Sequence, residues 1–165
     1  MNKPPSISFD LDGLLICPGQ PEEALSWWRG LLTREHLRLG CPKLFSWLNE
    51  HGHIASIYTS SLRSEGEIRR LFRAYGITLN RVVTGEQHQA FLSRGPGRWS
   101  KRPQDFGFDI HIDNETICDR EVPPSLQLII LPENANDWDA CLIVKLSEML
   151  ELKHPSTAGG TPAIQ

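Results

Sequence analysis

The chain has 165 residues, 39% of them hydrophobic and 22% charged, a length and composition that suit one domain with a sizeable core. A domain of this size removes roughly 70% of its extended-chain surface from water, so it folds without disulfides or a structural metal. The formal charge of −3 leaves no electrostatic footprint for nucleic acid or an anionic membrane, and no run approaches the ~20 apolar residues that cross a bilayer.

Residues 1–5 read as a flexible start, and MNKPPSISFD has no apolar h-region, which predicts no secretory leader and a cytoplasmic location. ISFDL is the first strand. Pro21 to Leu39 places Leu25, Trp28, Leu32 and Leu39 near one helical face and predicts a helix. Pro42 suits the first turn of another helix, which ends near Glu50 and is closed by His51-Gly52. HIASIYTSS then reads as a strand running into a hydroxyl-rich turn. Ser64 with Glu67 is a capping-box signature, and Ile68, Leu71, Phe72 and Tyr75 recur at helical spacing until Gly76. A short strand from Arg81 to Thr84, a polar segment punctuated by Gly95-Pro96-Gly97, the strands FDIHID and LQLIIL, and a helix from about Ala135 complete the body. Residues 154–165, HPSTAGGTPAIQ, carry too little apolar surface to offset their ordering entropy and read as disordered. Strands alternating with helical segments predict an α/β fold on a parallel sheet, with one core over residues 6–153.

Cys17, Cys41, Cys118 and Cys141 form no CxxC pair, which leaves reduced structural thiols rather than a zinc ribbon or redox motif. Trp27, Trp28, Trp47 and Trp138 fall at helical spacing and are assigned to the core, while Trp99, between Arg98 and Lys101, is a candidate substrate contact. His51, His53 and His111 are expected to be packed or surface side chains, and Arg94, Arg98, Lys101 and Arg102 read first as a solvated basic loop, with contact to a phosphate as the alternative.

Parallel sheets bind ligands beyond the carboxyl ends of their strands. Three such ends carry oxygen: Asp10 and Asp12; Thr59 and Ser60; Asp113 with Asn114 and Glu115. Carboxylates from two strands suit a hard cation such as Mg²⁺. A carboxylate can also attack phosphorus, provided that a lysine, a hydroxyl and a metal stabilise the charge that moves. A second carboxylate two residues on can protonate the leaving oxygen and later activate water.

Asp10-Leu11-Asp12-Gly13 after an apolar strand resembles the first motif of the haloacid dehalogenase-like superfamily. IYTSS resembles the second motif, with Thr59 at its hydroxyl position; Lys101 in SKRPQDFGFD resembles the third; HIDNE resembles the acidic fourth, with Asp113 as its first acid. The resemblance implies Asp10 as nucleophile and Mg²⁺ ligand, Asp12 as acid/base and a ligand through its backbone carbonyl, and Asp113 as a further ligand. It implies Thr59 and Lys101 as catalytic phosphate contacts; from the residues themselves, Ser60 beside Thr59 and Arg102 as a substitute for Lys101 are further phosphate-binding candidates. Leu14 stands where Thr or Val is commonest, and Asn114 stands where a second acid is frequent, with Glu115 or Asp119 as compensating candidates. The implied fold is a Rossmann-like three-layer α/β/α sandwich with the first strand central. Leu14 to Cys41 and Leu79 to Arg98 are too short for a separate cap domain. An uncapped member is thereby implied, open to large phosphorylated substrates or closed by a second subunit in a homo-oligomer.

The expectation is a Mg²⁺-dependent phosphatase, or a phosphotransferase, acting on a phosphorylated small molecule or macromolecule, with no membrane or nucleic-acid partner. An acid at position 12 argues against dehalogenase chemistry. Two alternatives remain: a receiver-like phospho-accepting domain, against which the first-strand DxDG argues, and a binding or regulatory member weakened by Asn114.

Overall fold

The computed structural model describes residues 3–92, 101–116 and 123–153. Within them, five apolar runs become β1 (Ile7–Phe9), β2 (Ser56–Tyr58), β3 (Val82–Val83), β4 (Ile110–Asp113) and β5 (Gln127–Ile130). All pair in parallel in the order β3-β2-β1-β4-β5, so the first strand is central, with Ser8 opposite Ser56 on one side and His111 on the other. Four helices accompany them: α1 (Cys41–Glu50), α2 (Glu65–Ala74), α3 (Gly85–Leu92) and α4 (Trp138–Lys153), with a 3₁₀ turn at Pro103–Phe106. This is a Rossmann-like parallel α/β arrangement. No helix among the described residues is long and apolar enough to cross a membrane.

Alternation along the strands divides the sheet into two unlike faces. Ile7, Phe9, Ile57, Val82, Ile110, Ile112 and Ile129 point to one face and pack with Leu44 and Leu48 of α1, Phe72 of α2 and Leu142 and Leu146 of α4. The other face carries Ser8, Ser56 and His111, all fully buried, and a small cluster of Tyr58, Val83 and Phe108. Beside that cluster α3 brings His88 to the Tyr58 hydroxyl.

Local signals explain most elements. Pro42 occupies the first turn of α1, and the capping box forms as expected: the Ser64 hydroxyl accepts the Glu67 N–H at 3.3 Å while Glu67 accepts the Ser64 N–H at 2.8 Å. The polar segment after β3 is partly α3, which begins with a second reciprocal pair between Thr84 and Gln87 at 3.3 and 3.4 Å. Residues 93–100, with Trp99, Arg94, Arg98 and Gly95-Pro96-Gly97, and residues 117–122 and 154–165, with Cys118, Asp119 and the C-terminal segment, lie outside the described residues.

The helix expected over Pro21 to Leu39 does not form. Glu22 and Arg38 pair in an antiparallel bridge, with the Glu23 N–H donating to Leu37 O and the Leu39 N–H to Pro21 O, both at 2.8 Å. A helix of that length would hold its ends roughly 27 Å apart at 1.5 Å per residue, so closing the ends forbids it. The intervening chain makes isolated turns, such as those from Ser26 O to Arg29 and Gly30. Trp27 and Trp28, assigned above to the core, are 83% and 52% exposed, whereas Trp138 is buried and donates its indole N–H to Leu39 O.

Two glycines should respond oppositely to alanine. A methyl group on Gly85 would overlap the backbone carbonyls of Ser60 and Ser61, whereas one on Gly66, inside α2, meets open space. Gly85→Ala should cost about 1–3 kcal/mol and Gly66→Ala should gain about 0.5–1 kcal/mol, read as opposite shifts of the urea midpoint. Shifts of the same sign would contradict this packing.

Candidate active site

Each strand of the central trio is prolonged just far enough to deliver its polar residue to the carboxyl edge. The Asp10 N–H donates to Ile112 O at 2.8 Å, continuing the β1–β4 ladder, and the Thr59 N–H donates to Val83 O at 3.0 Å, continuing β2–β3. Asp113 is the last residue of β4. Gly13 then turns the chain at φ +78°, where any Cβ would also overlap the Asn114 side chain and come within 2.6 Å of Glu133.

Lys101 arrives on the loop before the 3₁₀ turn, and Tyr58 fixes that loop. The Tyr58 hydroxyl donates to His88 Nδ1 at 2.6 Å and accepts the Arg102 N–H at 2.9 Å, while its ring packs 5.1 Å from Phe106. Anchored in this way, Lys101 Nζ lies 2.7 Å from Asp10 Oδ2 and 2.8 Å from Asp113 Oδ2. All three side chains are largely removed from water, at 12%, 8% and 1% exposure respectively. One ammonium thus joins carboxylates from two adjacent strands.

Burial pushes the Asp10 carboxyl up to about 6; the Lys101 charge opposes the rise and Asp113 adds to it. Burial pushes Asp113 upward too, but there the hydrogen bond from His111, the Lys101 charge and the Glu115 N–H prevail and hold it below the usual carboxylate range. The pair is therefore asymmetric, with Asp113 the better stabilised anion.

His111 is fully buried, and burial holds its imidazole below the usual range. Its Nε2 is 3.2 Å from Asp113 Oδ2 and its Nδ1 is 2.9 Å from Ser8 Oγ. An ionised Asp113 only accepts, so the ring proton belongs on Nε2 and Nδ1 accepts the Ser8 hydroxyl. His111 is packed, as expected, but it also braces Asp113, two residues further along the same face of β4.

The remaining expected site residues divide. Asp12 turns its carboxylate to Arg63, whose Nη1 lies 2.7 and 2.8 Å from its two oxygens; the same guanidinium grips Glu35 through Nε at 2.9 Å. Sequence spacing gave no sign of Arg63. Thr59 is buried with its hydroxyl accepting the Ser61 N–H at 3.1 Å, and Ser60 is exposed. Arg102 points its guanidinium at Asp105, 3.6 Å away. The Asn114 amide donates to Glu133 at 3.2 Å, and the Glu115 side chain is exposed.

No family model matches the sequence, and no curated protein matches it. Among the described residues no three His, Cys, Asp or Glu side chains gather into a metal-binding group. The donor chemistry nevertheless suits Mg²⁺: Asp10 and Asp113 present two hard oxygens close enough to share one cation, and this ion commonly keeps only one or two protein carboxylates beside water and phosphate.

The raised Asp10 titration has a definite sign. A proton bound more tightly in the folded chain stabilises it below the unfolded value of 3.8, and that contribution is lost as pH rises through about 6. Ionised Asp10 therefore costs the fold of order 1–3 kcal/mol at neutral pH. Asp10→Asn should raise the melting temperature near pH 7.5 and change it little near pH 4. An equal loss of stability at both would show that the carboxylate is not strained.

Proposed function

We propose that the chain is a Mg²⁺-dependent phosphohydrolase of the haloacid dehalogenase-like kind, with the three-layer, centrally stranded and uncapped fold of that superfamily. The single observation that carries the reading is Lys101 bonded to both Asp10 and Asp113 at the carboxyl edge. The motif order from Asp10 to Glu115 supports it independently.

In this reading the Asp10 carboxylate attacks phosphorus, one aspartyl oxygen–phosphorus bond forms, and the ester oxygen leaves with a proton from Asp12. Asp12 then takes a proton from water as that water attacks the aspartyl-phosphate, releasing inorganic phosphate and restoring Asp10. Lys101 neutralises charge on Asp10 and on the incoming phosphoryl oxygens. Thr59, buried at the end of β2, supplies the hydroxyl at that edge. Asp10, Asp113 and the Asp12 backbone carbonyl would hold Mg²⁺, which when bound offsets the negative charge of the phosphoryl group. Before Asp12 can serve a leaving group, its carboxylate must leave Arg63.

A second reading, a binding or regulatory member of the same fold without efficient turnover, is favoured by Asn114, whose amide donates to Glu133 where a second acid is frequent. Two experiments separate them. Asp10→Asn should lower turnover of p-nitrophenyl phosphate with Mg²⁺ by about a thousandfold or more, while full activity in that variant would sink the nucleophile assignment. Calorimetry should detect Mg²⁺ binding to the natural chain that Asp113→Ala abolishes. Binding with no hydrolysis of any phosphomonoester would favour the second reading, and a phosphorylated Asp10 that persists for minutes would instead favour a receiver-like domain.

A further inference from the structure

Beside the site lies a cavity of about 640 Å³, within the range of small-ligand sites. One wall is the turn that leads up to Glu35, the other the start of α2, and Arg34, Arg63 and Arg70 all line it. Its two carboxylates are already engaged. Both oxygens of Glu35 receive the Arg63 Nε, and Glu67 Oε2 closes the capping box on Ser64. Among the described residues neither Arg34 nor Arg70 takes part in an ion pair; Arg70 acts on Glu67 only through its field. The cavity thus offers two guanidiniums uncommitted to any carboxylate, in a chain whose net charge is negative.

Arg63 joins this cavity to the carboxyl edge. It forms part of the lining, yet its Nη1 holds both oxygens of Asp12, two residues beyond Asp10. The Asp12 carboxylate is about half exposed in that pair, so water already competes with it for Arg63, and a dianion seated among three guanidiniums competes for Arg63 far better.

We propose that the cavity is a second phosphate site: the substrate is a bisphosphorylated molecule whose scissile phosphate lies at Asp10 and whose distal phosphate is bound by Arg34 and Arg70, drawing Arg63 off Asp12. The exposed aliphatic side chain of Leu31 on the rim offers contact to the organic spacer between the phosphates. The substrate class and the release of Asp12 rest on the phosphohydrolase reading; the phosphate site itself does not.

The test compares a series of α,ω-alkanediol bisphosphates with alkyl monophosphates of equal chain length, by calorimetry and by phosphate release from the full chain. The best bisphosphate should bind at least about tenfold more tightly than its monophosphate, the gain expected from charge-assisted hydrogen bonds. Arg34→Gln with Arg70→Gln should erase that preference without changing the turnover number of the alkyl monophosphate at Asp10, and both side chains are exposed, so the fold should tolerate the change. Arg34→Lys with Arg70→Lys, which keeps the charges without the planar fork, should retain part of it. Equal binding of the two probes by the natural chain, or a preference that survives the double glutamine variant, overturns the proposal. Preference without hydrolysis overturns the phosphohydrolase reading and leaves the phosphate site standing; hydrolysis without preference overturns the phosphate site alone.

Discussion

Two buried carboxylates on neighbouring strands repel each other, and the fold tolerates them because one ammonium stands between them. Desolvating an unpaired carboxylate costs several kcal/mol or more, so Lys101 is a condition for Asp10 and Asp113 to occupy the carboxyl edge together. The rest of the arrangement serves that placement. Tyr58 spends its hydroxyl on the backbone beside Lys101 rather than on a ligand, and His88 and Phe106 hold Tyr58 in turn. His111 and Ser8 fill the space behind Asp113 with hydrogen-bonding groups where leucine and valine would leave its Oδ2 with Lys101 as its sole partner.

This requirement also explains why the sheet is so unequal. Its apolar face carries the packing with α1, α2 and α4 and needs nothing from chemistry. The polar face gives up hydrophobic burial to hold a connected chain of groups from Ser8 through His111, Asp113 and Lys101 to Asp10. Apolar packing and the buried polar network are thereby placed on opposite sides of three short strands.

Much of this was legible in the sequence. Short apolar runs announced β1, β2 and β4, and acids or a threonine at their carboxyl ends marked the edge. Ser64 and Glu67 announced α2 because a capping box is local, and Thr84 with Gln87 carries the same local signal at the start of α3. Residues 21–39 misled because apolar spacing alone cannot distinguish a buried helical face from an exposed turn whose ends are tied by Glu22 and Arg38. Arg63 and the far side of His111 stayed hidden for another reason: Arg63 meets Asp12 across 51 residues and His111 meets Ser8 across 103, contacts that no local spacing announces.

That register bears on how the protein comes to exist. The central strand lies at the start of the chain, yet one of its two neighbours, β4, follows about a hundred positions later, and parallel pairing of such distant segments is slow because the loop must close before any contact rewards it. Asp10 follows β1 and Asp113 ends β4, so the two carboxylates come to share one ammonium only once that distant pairing has closed.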